Sequence, residues 1–249
     1  MSSASGNKLH AEKYENLILR RGRIVRWREA ITCSCWNGGQ PDYNCKACKG
    51  VGRVYEDPIE DIVLVQSVTH NKEFEAMAGV FEVGDAVMSV GHRVPGINER
   101  TGLIDTTMKT ARKNKLFHVG MYDLITLTDD EYKTSEVLSK GTSLGRLPAD
   151  TLVNHEVTAV LKVRKWDKFT GERTDYIEGT HYKVDDNRII WLGTAHEPSE
   201  GEQYSVTYEH RPTFIIFTNL PTPRYQDKQD LPRRVVIRYL AGGIYGYTP

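Results

Sequence analysis

All four cysteines of this 249-residue chain fall between Cys33 and Cys48, inside the stretch CSCWNGGQPDYNCKACKGVGR. The spacing is Cys33-x-Cys35, nine residues, then Cys45-x-x-Cys48. Two such knuckles joined by a short loop let one chain wrap four thiolates tetrahedrally around a zinc ion. The flanking glycines, Gly38, Gly39, Gly50 and Gly52, suit tight turns of positive φ whose backbone N–H groups point at sulfur. Three other uses of the thiols compete: two disulfides, a redox-active Cys45-x-x-Cys48, and four unligated thiols. A cytosolic chain argues against disulfides, and no strand–CxxC–helix pattern of the thioredoxin type surrounds Cys45. Zinc is the leading reading. Four thiolates leave no open coordination position, so the expected role of the ion is structural. Its binding energy, on the order of 10 kcal/mol in small zinc modules, substitutes for a core that so short a loop cannot build.

The rest of the chain is long enough to bury a core of its own. Lys plus Arg and Asp plus Glu number 33 each. Net charge therefore gives no support to bulk binding of nucleic acid or of a membrane surface. No apolar run approaches a membrane span, and the start MSSASGNKLHAEKYENL has no apolar signal core. The expected setting is a reducing cytosol, or an assembly built there.

Residues 9–21 read as an amphipathic helix, with Tyr14, Leu17, Ile18 and Arg21 at helical spacing and Gly22 placed to cap it. RIVRWRE then alternates, with Val25 and Trp27 on one side. After the cysteine loop, the stretches 61–69, 79–90 and 121–129 read as strands rich in Val, Ile, Phe or Tyr, with Gly84-Asp85 as a turn. Residues 91–115 are polar and basic and read as a long loop. Within it Arg112, Lys113 and Lys115 are candidates for contact with DNA or a channel. A second set of strands begins near residue 155. HEVTAVLKVRKW places Val157, Ala159, Leu161 and Val163 on one face. A turn at Asp186-Asn187 makes a hairpin, and Tyr204, Val206 and Tyr208 alternate with Ser205 and Thr207.

The expected fold is mainly β: an N-terminal helix and first strand (1–30), a zinc-ribbon loop (31–54), a small β-barrel (55–150), a β-sandwich-like strand module (151–217) and a C-terminal strand and tail (218–249). Neither a phosphate loop, nor H-E-x-x-H, nor G-x-S-x-G occurs. His155, His181, His196 and His210 read as surface or partly buried residues, and the pair in HNKE, 70–73, as neither a metal nor an acid–base site. Tyr204, Tyr208, Tyr239, Tyr245 and Tyr247 read as core or protein-contact residues rather than base-stacking platforms. The expectation is that the chain is not an enzyme.

The order of elements resembles neck proteins of tailed bacteriophages, of the head-to-tail connector or head-closure (stopper) type. The matching stretches are G-x-x-V-x-W-R-E-A within Gly22–Cys35, C-x-x-C-x-G-x-G at Cys45–Gly52, G-V-F-E-V-G-D-A-V within Gly79–Val90, and Y-D-L-I-T-L at Tyr122–Leu127. The segment 176–212 is similar to a β-sandwich-like pattern of virion tail and neck proteins. The resemblance implies a ring-forming structural protein of the virion neck, made in the host cytoplasm. Its implied partners are copies of itself, a portal or adaptor protein, a tail-tube or tail-terminator protein, and packaged DNA, with no membrane. The zinc loop at Cys33, Cys35, Cys45 and Cys48 departs from the simplest members of that family. The competing reading is a zinc-ribbon nucleic-acid-binding or chaperone-like module.

Overall fold

Period-two alternation in six short strands closes a barrel. Around it, in order, run Arg23–Arg28, Leu124–Leu127, Thr213–Asn219, Arg233–Tyr239, Ala86–Val90 and Ile59–Ser67, which pairs back with the first. This computed structural model describes residues 11–37, 39–48, 50–67, 84–91, 93–97, 104–111, 119–143, 149–154, 156–219, 225–226, 229–230 and 233–240. Val25 and Trp27, Val63 and Val65, Met88 and Val90, Ile125 and Leu127, Phe214 and Ile216, and Val235 and Ile237 pack into one core. Each pair is two residues apart, so each strand sends one row of side chains inward. Side chains thus fill the interior, and closure removes the free strand edges that an open sheet would expose.

The helix, Ala11–Arg21, covers one strand from outside. Ile18 packs with Ile62 and Leu64, joined by Tyr14 and Leu17. The helix stops at Gly22, whose N–H donates to the Ile18 carbonyl at 2.7 Å. Glycine is needed there for space: a Cβ would lie 2.5 Å from Ile62 Cγ2 and 2.9 Å from the Val63 carbonyl oxygen. Gly84 serves differently. Its φ of 101° makes the turn into Ala86–Val90, and Asp85 beside it receives a two-pronged ion pair from Arg238 at 3.0 and 3.1 Å. Arg238 also stacks 3.9 Å above Phe217, which ties that turn to Arg233–Tyr239.

Asp123 is fully buried at the head of Leu124–Leu127. One carboxylate oxygen accepts the Trp27 indole N–H at 3.0 Å and the Gly120 N–H at 2.8 Å. The other accepts the Ala30 N–H at 2.9 Å. Three donors from two distant segments converge on one side chain.

A second body is built on a sheet in the order Tyr132–Ser139, Gln203–His210, Val157–Trp166, Arg173–Tyr176. A hairpin, Tyr182–Asp185 with Arg188–Trp191, adds Tyr182 and Ile189 to its core. Asp186 takes φ 54° at the hairpin's turn. Trp191 meets Tyr176, Tyr182 and Tyr204 edge to face at 5.1, 6.0 and 5.0 Å, the geometry that aromatic quadrupoles favour. Tyr204 and Tyr208 are buried, as the alternation expects, and donors and acceptors reach their hydroxyls: Asp150 accepts from Tyr204 at 2.7 Å, and Asn154 donates to Tyr208 at 2.7 Å.

Three expectations need correction. The core face of Val157–Trp166 carries Val157, Val160 and Val163, whereas Leu161 is exposed. Register shifts between Val157 and Ala159 and between Val160 and Lys162 move the inward row off strict alternation. The region 91–115 is not a plain loop, since Arg93–Ile97 pairs antiparallel with Ile104–Ala111. His210 is fully buried rather than at the surface or partly buried. The chain also divides into two compact units that are not contiguous in sequence. The first is Met1–Ala30, Asp57–Thr128 and Phe214–Tyr239, and the second is Ile31–Glu56, Asp129–Thr213 and Leu240–Pro249. Among the described residues no helix is long and apolar enough to cross a membrane. His155, the 70–73 pair, Tyr245 and Tyr247 lie outside the described residues.

Two measurements check these contacts. Asp123→Ala leaves one buried and two half-buried N–H groups without their acceptor, so urea unfolding should show a loss of roughly 2 kcal/mol or more. The second concerns His210. The Arg211 carbonyl, 3.2 Å from Nδ1, can only accept, so Nδ1 carries the proton and Nε2, 3.1 Å from the Thr134 hydroxyl, accepts in the neutral ring. Burial holds its pKa below the ordinary 6.5. The unfolded state therefore binds the proton first. Stability from this site is full above about pH 6.5 and falls as pH drops through and below that value. Unfolding midpoints measured between pH 8 and 5 should decline, and His210→Gln should flatten that part of the decline.

Candidate metal centre

The cysteine loop is held at its base before any sulfur is considered. Ala30–Thr32 pairs with Arg53–Tyr55, and the Cys33 N–H extends that pairing to the Gly52 carbonyl at 2.9 Å. The first knuckle then turns back: the Trp36 N–H donates to the Cys33 carbonyl at 3.0 Å, and Trp36–Asn37 pairs with Gln40–Pro41. Asp42 starts the second knuckle. Its carboxylate accepts the Asn44 N–H at 2.8 Å and its carbonyl accepts the Cys45 N–H at 3.1 Å. The Val51 N–H closes on the Cys48 carbonyl at 2.9 Å.

These turns bring all four sulfurs within 4.8 Å of one another. Cys33 Sγ and Cys45 Sγ are 3.7 Å apart, and Cys35 Sγ and Cys48 Sγ are 3.3 Å apart. A zinc–sulfur bond of about 2.3 Å in a tetrahedron sets sulfurs about 3.8 Å from one another. The donor set therefore fits a four-coordinate metal ion. Cys33 and Cys48 are buried, and Cys35 and Cys45 are half-buried.

Backbone dipoles act on the sulfurs as the glycine pattern expects. At Cys48, burial pushes the thiol up, but the Gly52 N–H, the Cys35 side chain and the Gly50 N–H outweigh it and bring the pKa down to about 7. At Cys35, burial and the contact with Cys48 push it up to about 12, against the Asp42 N–H. Gly50 and Gly52 have φ of 80° and 82°. Gly52 is constrained twice, because a Cβ there would stand 2.5 Å from the Trp36 ring.

The sequence reading names the four ligands, and the structure brings all four together. Asp42 is not among those residues, yet its carbonyl and carboxylate build the second knuckle and its N–H reaches Cys35 in the first. The signal was present as Pro41-Asp42-Tyr43-Asn44, a turn-forming run in which Asp bonds its own backbone. Arg112, Lys113 and Lys115 lie outside the described residues.

Residues 106–220 match a family model described as a domain of unknown function (DUF4815). That span takes in the second body's sheet and hairpin and ends beyond Thr213–Asn219; it does not include Cys33–Cys48. Comparison with curated proteins returns no match.

Two outcomes follow for metal binding, both readable by competition with a chromogenic chelator. Each thiol must lose its proton to bind, so affinity should climb with pH and binding at pH 7 to 8 should release protons. Gly52→Ala adds roughly 1–3 kcal/mol of backbone and contact strain and should weaken binding about tenfold or more. Gly39→Ala, whose Cβ meets open space despite φ 91°, should weaken it less.

Proposed function

We propose that this chain is a non-enzymatic structural protein of the tailed-phage neck, part of a head-to-tail connector ring, with one structural zinc held by Cys33, Cys35, Cys45 and Cys48. The observation that carries this reading is where the resembling stretches fall. Three of them supply barrel strands: Arg23–Arg28, Ala86–Val90 and Leu124–Leu127. The fourth lies in the cysteine loop. Arg23–Arg28 pairs directly with Leu124–Leu127, so stretches about a hundred residues apart in sequence form one continuous surface. A barrel whose interior is packed with side chains supplies stiffness rather than a substrate cavity. An all-cysteine ligand set fills a tetrahedral ion and leaves no position for a reacting molecule.

In this reading copies of the chain meet head to tail and close by rotation. The ring docks a portal or adaptor protein on one side and a tail-tube or tail-terminator protein on the other. Arg112, Lys113 and Lys115 face packaged DNA, and the finished protein resides in the virion.

Native mass spectrometry of the purified chain, alone and with portal rings, tests the proposal. A ring-sized multimer, or a monomer that adds to portal, is the expected result. A monomer that ignores portal and binds DNA with a steep salt dependence would replace it with the zinc-ribbon nucleic-acid module. Particles carrying Arg112→Gln, Lys113→Gln and Lys115→Gln should lose DNA. Normal genome retention would remove those three residues from the account.

A further inference from the structure

The thiol pairs are the part of this molecule best placed for a second chemistry. Two sulfur–sulfur contacts with hydrogen-bond geometry cross between the two knuckles: Cys35 to Cys48 at 3.3 Å and Cys33 to Cys45 at 3.7 Å. Cys35 and Cys45 are half-buried while Cys33 and Cys48 are buried, so each pair joins a half-buried cysteine to a buried one. The loop's frame does not depend on the sulfurs alone. The Cys33–Gly52 backbone bond, the Ala30–Thr32 pairing with Arg53–Tyr55, and Trp36–Asn37 with Gln40–Pro41 all hold the knuckles face to face.

We propose that this centre is an oxidative modification site, at which peroxide joins Cys35 to Cys48 first and Cys33 to Cys45 second, with loss of the bound metal. One sulfur of the Cys35–Cys48 pair, as its thiolate, attacks a peroxide oxygen. That sulfur becomes a sulfenic acid, and the peroxide O–O bond breaks to leave water. The other sulfur of the pair then attacks the sulfenic sulfur, the S–O bond breaks, and a second water leaves. The two sulfurs together give up two electrons, and one peroxide is reduced to two waters. A disulfide sulfur no longer carries the thiolate charge that binds a metal ion, so a four-thiolate centre that loses two ligands releases its ion. A thiol reductant reverses the change. The pairing is fixed by the fold and not by nearness in sequence, which would favour Cys45 with Cys48.

The metal-release half of this proposal rests on the zinc reading, and the pairing half does not. The experiment reads them separately. Metal content of the intact, reduced protein is measured first. The protein is then treated with stoichiometric hydrogen peroxide, blocked, and digested with trypsin under non-reducing conditions. Cleavage after Lys46 and Lys49 puts Cys48 on its own short peptide, so its partner is identified by fragmentation. The expected product joins that peptide to Cys35, lowers the chain mass by two hydrogens per bond, releases one metal ion per chain, and returns to the starting mass with dithiothreitol. A Cys45–Cys48 or Cys33–Cys35 bond, or oxidation to sulfinic acid with no bond, overturns the pairing. Full disulfide formation with the metal retained overturns the release. A reduced protein that holds no metal but forms Cys35–Cys48 overturns the zinc reading and leaves the pairing standing.

Discussion

The closing end of the barrel's first strand depends on one buried carboxylate. Asp123 accepts the indole N–H of Trp27, which sits among the inward-facing residues, and the backbone N–H of Ala30, the first residue of the short strand Ala30–Thr32. It also accepts Gly120 N–H, where a Cβ would lie 2.7 Å from the carboxylate. Polar groups taken from water without a partner cost of order 1–3 kcal/mol each, so this carboxylate fixes the positions of Trp27 and Ala30 within the barrel unit. The base of the cysteine loop is closed separately, by the Cys33 N–H on the Gly52 carbonyl. A metal ion in the loop would add to a frame that is already in register.

This division of labour matches what each region can bury. The barrel has enough alternating apolar residues to fill itself, from Val25 to Ile237. The second body solves the same problem with aromatic rings, grouped on Trp191, and with polar groups that reach into the core. Glu136 illustrates the cost. It accepts the Val153 N–H at 3.1 Å, yet burial raises its pKa above the ordinary carboxylate value. The cysteine loop has neither option. Ile31, Trp36 and Tyr43 are exposed, and its short ladders leave only sulfur to converge at its centre.

How far these features can be read from sequence follows from how local their causes are. The alternation of Val25 with Trp27, the helical spacing of Tyr14, Leu17 and Ile18, the turn at Asp186-Asn187 and the cysteine spacing are set by near neighbours, and all four are legible. Leu161 was misplaced because two register shifts in one strand depend on pairing with Gln203–His210, which nothing in HEVTAVLKVRKW announces. The ribbon of Arg93–Ile97 with Ile104–Ala111 has few apolar anchors and hence no alternation to find. The role of Asp123 is hidden for a similar reason, since two of its three donors come from Trp27 and Ala30, far away in the chain. Interleaving of the two units is the largest case. Arg233–Tyr239 closes the barrel beside Ala86–Val90, and a linear reading has no means of pairing them.

The central claim is that four thiolates hold one metal ion at the centre of the loop. X-ray absorption at the zinc edge, on protein purified with its metal, tests it most directly. The account predicts one zinc per chain with four sulfur scatterers at about 2.3 Å and no nitrogen or oxygen in the first shell. A mixed shell, or a protein that takes up no zinc when reduced, would contradict it.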